Sequence, residues 1–155
     1  MVLCTGGLAA CSLQISQHDA VSVVEQYLKA KKMNDYQAWK STLWAAQKDP
    51  KNFVPSFEAP GFLGVLSLSI TGVSVSDDET ERIKKMYFGS DLAKSYGWSD
   101  EYIANNMVAV SAQYTVDYDN TRVPYSEGPI SQYFYLVKDN QSSLWLIWDF
   151  SSQSE

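Results

Sequence analysis

The chain has 155 residues, of which 45% are hydrophobic and 19% are charged, a length and balance typical of one compact globular domain. Its formal net charge is −6 and its isoelectric point is about 4.7, so it lacks the excess of Lys and Arg that neutralises phosphates when a protein binds nucleic acid. Composition therefore argues against nucleic acid as a partner, and no apolar run approaches the roughly 18 residues of a transmembrane helix.

The first motif along the chain is the LAAC sequence that ends at Cys11. It is typical of a bacterial lipobox, in which a signal peptide is removed in front of a lipid-modified cysteine. Residues 1–10 carry no Lys or Arg, whereas a secretory signal begins with a positively charged region. We therefore expect residues 1–10 to be a truncated lipoprotein signal segment, residues 11–16 a lipid anchor with a short tether, and residues 17–155 the single folded domain.

Lipid attachment at Cys11 predicts an extracytoplasmic protein held on the cell membrane. The alternative is a cytoplasmic protein in which the LAAC sequence is a coincidence. Cysteine usage favours export: Cys4 and Cys11 are the two cysteines, so processing would leave a body with neither a disulfide nor a free thiol. A chain of this size tolerates that, because it buries about 68–70% of its unfolded surface on folding.

Helices are predicted at the start of the domain. Ser16 and Asp19 have the form of a capping box, which predicts a helix that begins there. Asn34-Asp35 should break this helix, and Pro50 should end its continuation near Gln47. Apolar residues at helical spacing support both segments: Ala20, Val23, Val24, Tyr27 and Leu28 in the first, and Tyr36, Trp39, Leu43 and Trp44 in the second.

Residues 48–64 contain three prolines and several aromatic residues, among them Phe57 and Phe62. This segment is too rich in proline for regular structure and too apolar for a solvated linker. It is either a lid over the mouth of a pocket or an ordered loop that covers the open end of the core.

A strand is predicted from Leu66 to Val75, with a change of phase at Gly72 that indicates a β-bulge. Ser76 and Glu79 form a second capping box, so a short helix should run to about Phe88. Residues 89–106 are predicted to be irregular, with a helical turn around residues 92–96.

Three long strands follow. Residues 108–118 alternate between apolar and mostly polar residues, whereas residues 130–137 and 144–150 are apolar at both odd and even positions. A strand that is apolar on both sides is either covered on both faces or part of an interface. N-terminal helices lying in the curve of such a sheet predict an α+β fold, a cone of the nuclear-transport-factor-2-like or cystatin-like type.

The segment from Tyr114 to Phe150 resembles a bacterial family of nuclear-transport-factor-2-like lipoproteins of unknown function, found mostly in Gram-positive bacteria. The resemblance is carried by VDY at 116–118, VPYSEG at 123–128, YFYLVKD at 133–139 and LWLIWD at 144–149. It implies a lipobox, which agrees with Cys11, and it implies no catalytic residue because the family has none assigned.

Motifs for catalysis and for cofactors are scarce. His18 is the single histidine, and the processed body has no free cysteine, so neither a zinc site nor a nucleophile-histidine arrangement is expected. No phosphate-binding or dinucleotide-binding glycine motif occurs, so no cofactor is expected. The acidic residues Asp117, Asp119 and Glu127 suggest either a cation site or, more simply, a solvated turn.

The favoured hypothesis is a non-enzymatic domain that binds a small molecule or a membrane-proximal protein. The candidate ligand-binding residues, in a cavity or a lid, are Tyr27, Trp39, Phe57, Phe62, Tyr114, Tyr118, Trp148 and Asp149. No catalytic residue is assigned.

Two alternatives remain. The first is a small acid/base enzyme that uses Asp149 or Asp117 with Tyr114 or Tyr118, and it requires a buried carboxylate beside a tyrosine. The second is a homodimer formed sheet to sheet, and it requires exposed aromatic residues of segment 130–150 on one outer face.

Overall fold

The computed structural model describes residues 7–53, 62–139 and 143–153, and of residues 7–18 it describes the backbone alone. The helices are α1 (Gly7–Lys32), α2 (Tyr36–Ser41), α3 (Trp44–Lys48), α4 (Asp77–Tyr87), α5 (Asp91–Ser95) and α6 (Asp100–Asn106). The strands are β1 (Val65–Val75), β2 (Met107–Tyr118), β3 (Gly128–Lys138) and β4 (Trp145–Ser152).

The four strands form one antiparallel sheet in the order β1-β2-β3-β4. Register shifts in the pairing of β1 with β2 and of β3 with β4 mark bulges, and bulges curve a sheet. The predicted α+β class is therefore confirmed: helices precede and cover a curved antiparallel sheet, an arrangement compatible with a nuclear-transport-factor-2-like cone. One of these bulges falls between Ile70 and Gly72, where the sequence predicted it.

The first helix starts earlier than predicted. Helix α1 begins at Gly7, so Ser16 lies inside it and the predicted start at the capping box is wrong. Residues 8–15 contain leucine and alanine, which favour helix, and no proline, so the helix continues through the capping motif. The predicted break at Asn34 is confirmed, because Asn34 has a φ of 51°, in the left-handed region that few residues other than glycine and asparagine adopt.

The region between β1 and β2 is more regular than predicted. Ser76 caps α4 as expected, since its hydroxyl accepts a hydrogen bond from the Glu79 amide at 3.4 Å. Helix α6, however, was missed. Ser99 caps it in the same way through the Tyr102 amide, so the signal was present, but the helix is too short to show a periodic apolar face.

The sheet is covered on both faces, and each face has its own core. On the first face, α1 packs through residues such as Val24 and Leu28 against Phe134 and Leu136 of β3. On the second face, α4, α5 and α6 cover a cluster that consists of Ile83, Tyr87, Ala93, Trp98, Ile103, Met107, Ala109, Tyr135 and Val137. Because both faces are covered, the last strands are apolar at odd and at even positions, whose side chains point to opposite faces.

The second core also covers aromatic residues on which the dimer hypothesis depended. Tyr135 is buried, and the Trp148 ring lies 4.9 Å from that of Tyr87 and 5.3 Å from that of Trp98. These side chains belong to the protein's own core, whereas Phe150 of the same segment is 51% exposed, so the homodimer stays a prediction. Within the described part of the chain, no helix combines the length and the apolar character needed to span a bilayer.

Candidate functional site

The structure distributes the predicted ligand-binding residues over three places. Tyr27, Trp39, Tyr114 and Tyr118 lie between the N-terminal helices and the first face of the sheet, where they pack as core. The Tyr27 ring is 5.2 Å from that of Phe134 and 6.2 Å from that of Trp39. None of the four lines either of the two clefts discussed below.

The other four predicted residues are separated from this group. Phe62 is half-buried, with the Arg122 guanidinium carbon 3.6 Å from the centroid of its ring. Trp148 packs in the second core, and Asp149 pairs with Tyr135 beside the bulge. Phe57 lies outside the described residues. The residues therefore do not converge on one cavity, and ligand binding by them stays a prediction.

The two carboxylates proposed for acid/base work are both exposed. The Asp149 carboxylate accepts a hydrogen bond from the Phe150 amide at 2.8 Å, next to its own backbone. A hydrogen bond with Glu127 raises the pKa of Asp117, although Asp117 faces solvent. Neither carboxylate has the buried setting that a catalytic acid requires.

A buried carboxylate beside a tyrosine does occur, on the second face of the sheet. The Tyr135 hydroxyl donates to Glu79 Oε1 at 2.6 Å, and Arg82 contacts both carboxylate oxygens of Glu79 at 2.6 and 2.8 Å. The Arg82 hydrogen bonds hold the pKa of Glu79 below its usual value. Glu79 is thus a stable anion that ties α4 to β3, the opposite of the raised pKa that proton donation needs.

The most site-like feature is a cleft of about 650 Å³ between α1, the turn from α2 to α3, and the start of β4. Small-molecule sites typically occupy roughly 300–1,000 Å³, so this volume is adequate for one. The lining residues come from three separate parts of the chain: Val23, Gln26, Ser41, Thr42, Gln47, Lys48, Asp139, Leu144, Trp145 and Leu146.

Hydrogen bonds between the N-terminal helices and β4 fix the walls of the cleft. The Ile147 amide donates to the Thr42 carbonyl at 2.8 Å, and Leu43 forms a parallel bridge with Ile147. This attachment interrupts the helical path between α2 and α3, where the sequence predicted a continuous periodicity. At the rim, Lys48 Nζ lies 3.0 Å from Asp139 Oδ1 and joins α3 to the end of β3.

The lining combines two kinds of surface. Gln26, Ser41 and Gln47 offer amide and hydroxyl groups that can donate and accept hydrogen bonds. Val23 and Trp145 supply apolar contact, and the Lys48 and Asp139 charges offset each other. A cleft of this kind suits a small polar molecule that also has an apolar face.

Sequence reasoning missed the cleft residues for a clear reason. Gln26, Lys48 and Asp139 are single polar residues without a motif, and they lie far apart in the chain. Only the bridge between Leu43 and β4 brings them to one cleft. A second, more open groove of about 520 Å³ lies between α1 and β1 and is lined by residues such as Lys29, Lys32 and Leu68.

A protein-family model described as "Domain of unknown function (DUF4829)" matches residues 21–151. The chain belongs to the DUF4829 family. The matched range includes nearly all of the part of α1 that packs on the sheet, and it ends within β4. No curated protein and no solved structure matches the chain.

The DUF4829 assignment agrees with the expectation of a family of unknown function, and the match covers most of the two-faced fold described above. Every residue that lines the main cleft lies inside the matched range. The cleft is therefore built by the family domain itself and not by the segments that flank it.

Proposed function

We propose that this DUF4829 protein is a binding domain that holds a small polar ligand in the cleft between α1, the α2–α3 turn and β4, and that Cys11 anchors it to the outer side of the cell membrane. The observation that carries the binding role is the cleft, with its volume of about 650 Å³ and its mixed polar and apolar lining. The role is a non-enzymatic one.

The lining defines the chemistry of the ligand. The Lys48 and Asp139 side chains form an ion pair, so the cleft carries no excess charge that would select an anion or a cation. Amide and hydroxyl groups of Gln26, Gln47 and Ser41 favour a ligand with its own amide or hydroxyl groups. The ligand is therefore uncharged or zwitterionic, with an apolar side that faces Trp145.

Two variants test the binding role. N-acetylglucosamine and an N-acetylated dipeptide amide serve as probes, because both combine amide groups with an apolar face. We expect a probe that binds in the cleft to shift the NMR signals of the Trp145 indole and of the Gln26 and Gln47 side-chain amides. The Gln26→Trp variant fills the cleft from the exposed surface of α1 and should abolish these shifts.

Gln37→Trp is the matched control, since Gln37 is an exposed glutamine of α2 outside the cleft. This variant should bind as the unmodified chain does. The proposal is wrong if neither probe shifts the cleft signals up to millimolar concentration, or if the shifts survive in Gln26→Trp.

The membrane anchor rests on the lipobox sequence and has its own test. Growth of the native host with an alkyne analogue of palmitate should label the protein, and globomycin should block its processing. Cys11→Ala should lose the label, whereas Cys4→Ala should keep it, because Cys4 lies in the segment that processing removes. Absence of label and of globomycin sensitivity would favour the cytoplasmic alternative.

A further inference from the structure

The sheet has an open edge beside α1. Among the described residues β1 pairs with β2 alone, so it is an edge strand. At its start the Asn34 side chain replaces a second strand: it accepts a hydrogen bond from the Val65 amide at 3.3 Å and donates one to the Val65 carbonyl at 2.9 Å. Within the described part of the chain, no such bond continues along residues 66–75. The outer backbone groups of β1 are therefore a template on which another strand can pair.

The sequence of β1 lacks the features that usually protect such an edge. Proline and charged side chains, lysine above all, keep edge strands from pairing with other chains, and residues 65–75 contain neither. Bulges interrupt the edge at two points, since the pairing with β2 shifts between Val65 and Ser67 and between Ile70 and Gly72. Between these bulges, Ser67–Ile70 is a regular stretch of the open edge.

An apolar groove runs along this edge. Met33 of α1 is 68% exposed and Ile70 of β1 is 42% exposed, and both line the groove of about 520 Å³ between the two elements together with the buried Leu68. A partner that pairs with β1 would also cover these two exposed side chains, which favours the pairing because apolar area is removed from water.

The other lining residues of the groove are charged. Glu25, Lys29 and Lys32 lie four and three positions apart, so they share one face of α1. The ion pairs among the described residues all lie elsewhere, so these three charges are not paired within the chain. The stripe is acidic at one end and basic at the other, and it is therefore complementary to a second copy of itself that runs in the opposite direction.

Lys31, which lies between these lysines in sequence, is held by its own chain. Its Nζ donates a hydrogen bond to the Tyr118 hydroxyl at 2.6 Å and lies 5.1 Å from the centroid of the Tyr118 ring. The ring centroids of Tyr27 and Tyr125 are each 5.7 Å away. These contacts stabilise the positive charge of Lys31 inside the protein, whereas the two lysines of the groove remain at the surface for a partner.

We propose that this edge is the contact surface of a homodimer in which the β1 strands of two copies pair antiparallel and their α1 helices lie side by side in opposite directions. A twofold axis between the two strands relates the copies, so each makes the same contacts to the other. Met33 and Ile70 of both copies meet in the joined grooves. The two sheets become one continuous sheet, so the dimer forms edge to edge and not sheet to sheet.

The charges indicate where the axis lies. Asn34 binds Val65, so α1 ends where β1 begins and the two run in opposite directions. The midpoint between Glu25 and Lys32 lies about 8 Å before Asn34, at about 1.5 Å per helical residue. This distance equals two to three strand residues at about 3.3 Å each, which places the axis near Leu68. Such an axis brings Glu25 of each copy opposite Lys32 of the other.

Sedimentation velocity of the full chain, from micromolar to millimolar concentration, tests the dimer. A reducing agent prevents Cys4 and Cys11 from linking two copies. We expect a reversible equilibrium between monomer and dimer. Ile70→Lys adds a charge to the open edge and should weaken the dimer at least a hundredfold. Leu92→Lys is the matched control, because Leu92 is 45% exposed on α5, and it should leave the equilibrium unchanged.

Charge reversal tests the position of the axis. Glu25→Lys and Lys32→Glu should each raise the Kd of the dimer about tenfold, because each places two like charges together and the symmetry doubles the effect. The double variant Glu25→Lys/Lys32→Glu restores opposite charges and should return the Kd to within about threefold of the original. Glu101→Lys, at an exposed position of α6, is the control and should leave the Kd unchanged.

Three results would overturn the proposal. The first is a chain that stays monomeric at millimolar concentration. The second is a double variant that associates no better than the single ones while circular dichroism shows that it is folded. The third is a dimer that survives Ile70→Lys, because such a dimer uses another surface, for example the one around the exposed Phe150.

Discussion

Lys31 makes the stability of the fold dependent on pH, because the folded and unfolded chains bind its proton differently. Burial lowers the pKa of Lys31 to about 8 in the folded chain, whereas it is about 10.5 in the unfolded chain. Between these values the unfolded chain binds more protons, so the free energy of unfolding rises with pH, by about 3 kcal/mol in total. Above pH 10 the burial of Tyr125 has the opposite effect. Burial raises the pKa of Tyr125 to about 12, so the folded chain keeps this proton longer than the unfolded chain and the free energy of unfolding falls as the pH rises.

Urea denaturation of the unmodified chain and of Lys31→Met, at intervals from pH 7 to 10, measures this contribution. The difference between the two free energies of unfolding should change by about 2.5 kcal/mol in favour of the unmodified chain across the interval, the greater part of the total. Lys32→Met is the control and should show no such change, since Lys32 is exposed. A constant difference for Lys31→Met would contradict the lowered pKa.

Gly64 lies where a side chain would be unfavourable for two reasons, its backbone conformation and its close neighbour. Its φ is 71°, and a Cβ atom there would lie 2.5 Å from Cγ2 of the buried Val123. Gly97 has nearly the same φ, 72°, but nothing within 4 Å of the added atom. Gly97→Ala should therefore cost only the left-handed backbone strain, about 1–2 kcal/mol.

Gly64→Ala should cost about 1–3 kcal/mol more than Gly97→Ala, because it adds overpacking against Val123 to the same strain. Thermal and urea unfolding of the two variants give the comparison directly. Equal losses of stability would show that Val123 moves aside without cost.

Attachment of α4 to the sheet depends on a hydrogen bond that replaces a missing strand partner. Strand β1 ends at Val75, and beyond it the buried Ala109 amide donates to the Thr80 hydroxyl of α4 at 2.9 Å. The same hydroxyl donates to the Ser76 carbonyl at 2.7 Å. Helix α4 thus continues the pairing that β1 would otherwise provide, and this fixes the second core on its side of the sheet.

Thr80→Val keeps the shape of the side chain but leaves the Ala109 amide buried without its acceptor, so it should lower the free energy of unfolding by about 1–3 kcal/mol. Thr115→Val is the control, because Thr115 is exposed in the middle of β2 and a valine suits a strand. Its effect should be below about 0.5 kcal/mol. Equal effects of the two variants would mean that the hydrogen bond between the Ala109 amide and the Thr80 hydroxyl adds no net stability.

The whole molecule has two cores that share one sheet, and this sharing should make it unfold as a unit. Strand β3 contributes Phe134 to the first core and Tyr135 to the second, one residue apart. If either core unfolds, one face of the same strands is therefore exposed to water. We expect a single cooperative transition rather than separate melting of the α4–α6 face.

Phe134→Ala in the first core and Ile103→Ala in the second test this expectation. Each should cost about 2–5 kcal/mol, and in each variant the transition followed by tryptophan fluorescence should coincide with that followed by circular dichroism. Leu66→Ala is the control, since Leu66 is 65% exposed. Two resolved transitions in Ile103→Ala would show that the second face is an independent unit.

Local signals in the sequence predicted the helices and strands well where a residue sets the backbone conformation at or next to its own position. Gly72 marked the bulge in β1, Asn34 marked the end of α1, and Ser76 marked the start of α4. The Ser16 capping motif failed because a capping motif stabilises a helix end without preventing a helix from passing through it.

The candidate site was less predictable than the fold. Aromatic residues such as Tyr27 and Tyr114 were expected to line a cavity, yet they fill the first core, since residue type does not distinguish a cavity wall from packed interior. The cleft residues Gln26, Lys48 and Asp139 have no distinguishing spacing. The same is true of Lys31, because Tyr118, one of the tyrosines that surround it, lies 87 positions away in the chain.

By itself the sequence determined the α+β class, the antiparallel strands and the coverage of β3 and β4 on both sides, because alternation and helical periodicity are properties of neighbouring residues. Only the tertiary structure decided which helices cover which face, where the cleft opens and which amine the tyrosines enclose. These features depend on contacts between distant segments, such as Thr42 with Ile147 and Lys31 with Tyr118, and no local pattern encodes such contacts.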